Sequence, residues 1–162
     1  MTKNKGKLSK QDELEFTKVK IEENFSNYSA WHYRSKLIEA EAAAQELDTD
    51  TFKRELELIE NAAATDPNDQ SAWIYEKWLV LEHKQCFLRD LELTHAHIKS
   101  LTDLLALENG KSKWLMLTLI DLMSLLDLHK YRPTILDYLD RLANEIDLFR
   151  TNYYLDLKKK FS

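Results

Sequence analysis

The chain has 162 residues, a formal net charge of −5 and a hydrophobic fraction of 44%. This length suits one sizeable core, and the hydrophobic fraction is too high for a disordered chain. The acidic balance disfavours nucleic-acid binding, which depends on clustered lysine and arginine. No apolar run approaches the roughly 20 residues that span a bilayer, so we expect no membrane insertion.

The first ten residues carry Lys3, Lys5, Lys7 and Lys10. They lack the apolar stretch of a secretory signal, so residues 1–10 are predicted to be a flexible basic N-terminus. The single cysteine, Cys86, cannot form an internal disulfide, which agrees with a reducing compartment. These features predict a cytoplasmic protein.

The following residues alternate between amphipathic segments and short turns. Residues 13–23 and 51–65 are predicted helices, because apolar side chains recur in them at helical spacing. The turn at 66–69 contains Pro67, which disfavours helix at the residue before it. Since the sequence has only two glycines and two prolines, little turn chemistry is available for many strands, and an all-α fold is expected. The apolar positions of the second segment are Phe52, Leu56, Ile59 and Ala63.

A tryptophan motif recurs along the chain. Ser29-Ala30-Trp31 aligns with Ser71-Ala72-Trp73 at an offset of 42 residues, and a weaker copy, Ser112-Lys113-Trp114, follows after 41 more. Each serine is a predicted helix N-cap, and each tryptophan is a predicted core residue of its helical hairpin. A fixed period of this length predicts a solenoid of helical hairpins.

The repeats are predicted at about 12–46, 51–85 and 88–127, followed by terminal helices at 132–160, within one helical repeat domain at 11–162. Pro133 suits the first turn of a terminal helix, and apolar residues follow it on one face. The chain then ends in a short helix with Lys158, Lys159 and Lys160, which complement the helix dipole.

The sequence from Trp31 to Arg34 contains an indole, an imidazole, a phenol and a guanidinium in four positions. On a helix, Trp31 and Arg34 are neighbours, while His32 and Tyr33 point elsewhere, so these groups do not converge on one substrate atom. His83, Cys86, His95 and His97 also fail as a zinc set, because His95 and His97 diverge on a helix. No catalytic residue, metal ligand or cofactor site is therefore predicted in this chain.

The stretches "DPNDQSAWIY" and "NFSNYSAWHYR" resemble the repeat of protein prenyltransferase alpha subunits, most closely that of the Rab geranylgeranyltransferase. The resemblance covers nearly everything after about Glu13, including "KWLMLTLIDLM" and "YLDLKKKF". It implies a right-handed α-α superhelix and a noncatalytic alpha subunit that pairs as a heterodimer with a zinc-containing beta subunit. The complex would geranylgeranylate Rab GTPases presented by their escort protein, and this chain alone is expected to be inactive.

The resemblance further implies that residues around the first tryptophan face the beta subunit, which makes Tyr28, His32 and Arg34 candidate partner contacts. The alternative for these three is ordinary solvation or pairing within a repeat. A family lysine that reaches the isoprenoid diphosphate has no counterpart in Ser26-Asn27-Tyr28, so no diphosphate role is transferred. The chain is expected to correspond to the carboxyl-terminal portion of the family, as a fragment or a reduced protein.

Two other functions remain open. The chain could be a free-standing helical-repeat adaptor whose surface binds a peptide or a protein. It could also be a transferase by itself, although no arrangement of acid, base and nucleophile supports this.

Overall fold

The structure is a computed structural model that describes residues 8–44 and 46–162. These residues form α-helices joined by short turns, and none of them lies in a β-strand, so the predicted all-α class with helical hairpin repeats is confirmed. A π-helical turn, Leu142–Ile146, and a 3-10 turn, Leu148–Arg150, follow the seventh helix. The α-helices are α1 Lys10–Glu23, α2 Tyr28–Ala44, α3 Thr49–Thr65, α4 Gln70–Glu82, α5 Lys84–Arg89, α6 Leu91–Leu107, α7 Lys113–Arg141 and α8 Thr151–Phe161.

The chain divides into two compact units between Cys86 and Phe87. Unit 1 contains α1 to α4, in which α1 packs on α2 and α3 packs on α4. In unit 2, α6 packs on α7 and α7 packs on α8. Most of the predicted basic N-terminus, residues 1–7, lies outside the described part of the chain, whereas Ser9 caps α1 in a capping box with Asp12.

Helix α3 shows how the apolar pattern builds unit 1. Its first turn is capped by Asp48, whose carboxylate accepts a hydrogen bond from the Thr51 backbone N–H at 2.6 Å. Apolar side chains at helical spacing then turn inward along its whole length. All four predicted core positions are buried, namely Phe52, Leu56, Ile59 and Ala63.

The starts of α2 and α4 differ from the prediction. The Asn27 side chain accepts from the Ala30 N–H at 3.1 Å, and the Asp69 carboxylate accepts from the Ser71 N–H at 2.8 Å. The caps are therefore Asn27 and Asp69, and the prediction was wrong for Ser29 and Ser71. Asn, Asp and Ser are nearly equivalent as N-caps, so the composition of these turns did not distinguish them.

The second helix of the third hairpin, α7, begins at a side-chain cap and is interrupted at a second one. Ser112 does cap α7, with its hydroxyl oxygen 3.5 Å from the Leu115 N–H. Helix α7 then kinks at Asp127, which has non-helical φ of −159° and ψ of 86° and accepts a hydrogen bond from the Lys130 N–H at 3.0 Å. The terminal helical segment thus begins after Asp127, and Pro133 lies inside it rather than in its first turn.

Helix α8 is held in unit 2 by one buried aromatic residue and two acidic groups. Tyr154 is completely buried, and its hydroxyl donates to Asp147 at 2.6 Å. The Lys113 ammonium lies 3.5 Å from the same carboxylate, and Lys158 pairs with Asp140 at 2.6 Å. The Tyr154 hydrogen bond and the nearby Lys113 charge hold the pKa of Asp147 below its usual value, despite the opposing effect of burial.

Candidate protein interface

Trp31 and Trp73 occupy equivalent positions in the two hairpins of unit 1. Both side chains are buried. The Trp31 indole N–H donates to the Phe25 carbonyl, and the Trp73 indole N–H donates to the Pro67 carbonyl, both at 2.9 Å. Each indole therefore fastens the second helix of its hairpin to the turn that precedes it.

Trp114 does not share this environment. It is only half-buried, and the Lys113 ammonium lies 5.0 Å from the centre of its ring. The reason is register: Trp31 and Trp73 come four residues after their caps, whereas Trp114 comes two residues after Ser112. Two residues rotate a helix position by about 200°. The residue four places after Ser112 is Met116, which is completely buried and takes the position expected for the tryptophan.

Arg34 is not a surface residue, which removes it from the candidate partner contacts. It is buried between four helices and makes a bidentate pair with Glu55 of α3, with N–O distances of 2.6 Å and 2.8 Å. It also donates to the Leu14 carbonyl of α1 at 2.8 Å and to the Thr17 hydroxyl at 3.0 Å. The alternative considered for Arg34, pairing within the repeats, is what the structure shows.

Tyr75 of α4 completes this buried network, because its hydroxyl donates to Glu55 at 2.9 Å. Burial would lower the pKa of Arg34, but the hydrogen bonds and charge of Glu55 outweigh it and the pKa is raised. Burial, followed by the Glu55 charge, raises the pKa of Tyr75 well above its usual value. The network thus keeps one cation and one anion paired inside unit 1 and links α1, α2, α3 and α4.

Tyr28 and His32 form the part of the predicted contact set that is accessible. Both are exposed, and their rings stack with centroids 6.1 Å apart and an interplanar angle of 11°. They stand one turn apart on α2, next to the buried Trp31, so the backbone beneath them is fixed by the core. A stacked aromatic pair on a rigid helix is suited to contact another protein, because little side-chain entropy remains to be lost on binding.

Helix α4 carries an exposed apolar face that the sequence analysis missed. Ile74 and Leu81 are about half exposed, and the partly buried Trp78 lies between them at helical spacing. Ile74 follows its cap by five residues, as His32 does on α2. The tilted contact of Trp31 with Tyr75, at 4.9 Å between centroids, places α2 directly against α4. The helical spacing of Ile74, Trp78 and Leu81 is visible in the sequence, but the sequence analysis assigned only Trp73 of this helix to a core or contact role.

His83, which follows α4, and Cys86, in α5, are not arranged as a metal site. Among the described residues, no group of three or more His, Cys, Asp or Glu side chains is arranged to hold a metal ion. The buried Cys86 thiol donates to the Leu47 carbonyl at 3.3 Å. Burial lowers the pKa of His83, whose ring meets the edge of Trp78 at 5.8 Å between centroids.

Unit 1 is a helical-repeat scaffold of two hairpins. Each hairpin has a similar turn, a buried indole and a second helix with one exposed face. Residues 10–41 and 52–83 match the model of the protein prenyltransferase alpha subunit repeat. These two stretches match consecutive copies of that repeat, which confirms the resemblance that the sequence motifs indicated.

Curated relatives agree with the family match. The chain is 51% identical over 75 residues to the human geranylgeranyl transferase type-2 subunit alpha, covering 43% of this chain and 13% of the relative. For the Saccharomyces cerevisiae subunit of the same name, identity is 36% over 96 residues, covering 58% of this chain and 28% of the relative. The chain thus spans well under two thirds of the length of these relatives.

A solved structure of Candida albicans protein geranylgeranyltransferase-I complexed with GGPP aligns with 95% of this chain and 73% of its own chain. Its TM-score is 0.40 at 16% identity, which is too weak a likeness to support an inference. Within the described part of the chain, no helix is both long enough and apolar enough to cross a bilayer.

Proposed function

We propose that this chain acts as the noncatalytic alpha-type subunit, or part of one, of a Rab geranylgeranyltransferase. In this role it pairs with a beta subunit that holds the zinc ion and carries out prenyl transfer. Rab GTPases, brought by their escort protein, are the substrates of the complex, which works in the cytoplasm. The match of two consecutive repeats to the alpha subunit family is the observation that carries the proposal.

The surface of unit 1 supports pairing with another protein. Tyr28 and His32 on α2 and Ile74 and Leu81 on α4 are all exposed on neighbouring helices. The buried centre of a protein interface is apolar and enriched in aromatic residues, and tyrosine is among the residues that contribute most to binding energy. Because the buried Arg34 network fixes the helices beneath, the contact surface is already formed before the partner binds.

The proposal is tested by co-expressing the tagged chain with the beta subunit of the Saccharomyces cerevisiae type-2 geranylgeranyl transferase. We expect the beta subunit to co-purify in equal amounts with the chain. The variant Ile74→Ser/Leu81→Ser should retain much less of it while keeping its helical circular dichroism. The control Leu107→Ser changes a more exposed leucine in unit 2 and should co-purify as the unmodified chain does.

The outcome separates this proposal from the adaptor function. If the beta subunit does not co-purify, and other proteins bind the chain through Ile74 and Leu81, the chain is an adaptor built from alpha-subunit repeats. A second assay measures transfer of labelled geranylgeranyl groups by the purified chain with added zinc. Turnover in the absence of a partner would contradict a noncatalytic role.

A further inference from the structure

The end of unit 2 combines protruding apolar side chains with cations. Leu148 and Phe149 lie in the 3-10 turn before α8, where no residue is buried, and Phe149 has a relative exposure of 104%. Tyr153, in the first turn of α8, is 53% exposed. Such side chains protrude from the surface instead of packing on it, although folded proteins normally cover large apolar groups.

Cations accompany these apolar residues. Residues 147–162 contain four cations and two carboxylates, in a chain whose net charge is −5. One carboxylate, Asp147, is bound to Tyr154 and Lys113, and one cation, Lys158, is paired with Asp140. The other charged side chains of the segment are three cations, Arg150, Lys159 and Lys160, and one carboxylate, Asp156, which lies 4.0 Å from Lys159.

Helix α8 presents these groups outward because its opposite side is fixed. Tyr154 is completely buried, so the helical positions opposite it point to solvent. These positions include Asp156, Lys159 and Lys160, which are all exposed, and Tyr153 stands on the same face as Lys160, seven residues earlier. We call the exposed group the C-terminal patch; its members are Leu148, Phe149, Arg150, Tyr153, Lys159 and Lys160.

We propose that the C-terminal patch binds the surface of an anionic lipid bilayer. Leucine and aromatic side chains enter the boundary between headgroups and acyl chains, while lysine and arginine contact anionic headgroups. Phe149 and Leu148 protrude from a short turn, a convex shape that suits insertion into lipid. The patch has both an apolar and a cationic component, and binding to a bilayer surface increases with the buried apolar area and with the attraction to anionic lipids.

This proposal does not depend on the pairing with a beta subunit. It assigns a membrane-surface contact to the other unit of the chain, through residues that the partner-binding proposal does not use. It describes peripheral attachment, in which no helix crosses the bilayer.

Co-sedimentation of the full chain with phosphatidylserine-containing vesicles tests the proposal, with pure phosphatidylcholine vesicles as the comparison. We expect binding to the anionic vesicles that is at least about tenfold stronger and that weakens as salt is added. Leu148→Ser/Phe149→Ser should lower this binding at least about tenfold, since it removes the inserting side chains. The matched control Leu107→Ser changes a leucine that is 78% exposed elsewhere in unit 2 and should bind normally.

Charge variants test the cationic component. Lys159→Glu/Lys160→Glu should reduce binding to the anionic vesicles, whereas Lys111→Glu/Lys130→Glu, with the same change in net charge, should not. Asp156→Lys should strengthen binding, because it replaces the one exposed carboxylate of α8. Equal binding to both vesicle types, wild-type binding by the patch variants, or capture of an acidic protein without vesicle binding would each overturn the proposal.

Discussion

At the scale of single residues, an indole N–H joins the turn inside each hairpin of unit 1 to the helix that follows it. Trp31 and Trp73 combine a buried aromatic surface with one hydrogen bond to a carbonyl six residues earlier. In unit 2, Met116 fills the corresponding helical position without such a bond. A flexible thioether can occupy the space of an indole but cannot donate to the turn.

This difference predicts how much each residue stabilises the fold. Trp73→Ala should lower the free energy of unfolding by about 3–5 kcal/mol, since a buried aromatic ring is removed and its turn loses a donor. Trp114→Ala should cost clearly less, because that ring is only half-buried. Urea denaturation followed by circular dichroism measures both, and equal losses would show that the two tryptophans are equivalent after all.

The buried Arg34 pair leads to a second prediction at this scale. Glu55→Gln leaves the guanidinium buried without a counter-charge and should lower the free energy of unfolding by about 3 kcal/mol or more. Glu57→Gln alters an exposed carboxylate two residues away on α3 and should cost under about 0.5 kcal/mol. Denaturant titration measures the free energy of unfolding of both variants. If Glu55→Gln lowers it no more than Glu57→Gln does, the Arg34–Glu55 pair does not stabilise the packing of the helices.

At the scale of the helices, a side chain that accepts a hydrogen bond from the first-turn backbone marks where α4 begins. Asp69 starts α4, and a hydrogen bond from the Ser26 hydroxyl to its second carboxylate oxygen connects the turns of the two hairpins. Asp69→Ala should therefore lower the free energy of unfolding by about 1–2 kcal/mol. Ser71→Ala should change it by under about 0.5 kcal/mol. Thermal or urea denaturation measures both losses. If Ser71→Ala destabilises the protein more than Asp69→Ala does, Ser71 and not Asp69 is the cap.

The contacts of α8 make unit 2 sensitive to acid. The folded-state pKa of Asp147 is lowered, so its contribution to stability is present above the unfolded pKa of about 3.9 and is lost as the pH falls through the folded value. Tyr154→Phe removes the main cause of the shift, and this variant should lose less stability on acidification from neutral pH than the unmodified chain. Asp156→Asn, on the exposed side of α8, serves as the control and should leave the pH profile unchanged.

At the scale of the whole chain, the periodic features were predictable and the long-range contacts were not. The spacing of Phe52, Leu56, Ile59 and Ala63 predicted α3 and its buried face, because helical periodicity is a local property. Arg34 binds Glu55, 21 residues away, and no local pattern shows which helices will meet. An alignment of the repeats on their tryptophans does not identify Met116 as the buried equivalent. The reason is that the cap of α7, Ser112, lies two residues before Trp114, whereas the caps of α2 and α4 lie four residues before their tryptophans.

The interface prediction was correspondingly incomplete. Tyr28 and His32 are accessible, but Arg34 is buried, because an arginine with a carboxylate in reach can be enclosed by the helices around it. Ile74 and Leu81 became candidates only when the structure showed that their side of α4 is exposed. Whether an apolar position in a repeat faces the core or a partner depends on which neighbouring helices cover it.

The proposed function requires unit 1 to bind a prenyltransferase beta subunit through the exposed faces of α2 and α4. Isothermal titration of the purified chain with that beta subunit measures this binding. We predict a complex with one copy of each chain, whose dissociation constant rises at least about tenfold in Tyr28→Ala/His32→Ala and does not change in Leu107→Ser. No heat of binding, or equal affinity in the double variant and the unmodified chain, would show that these faces do not bind the beta subunit.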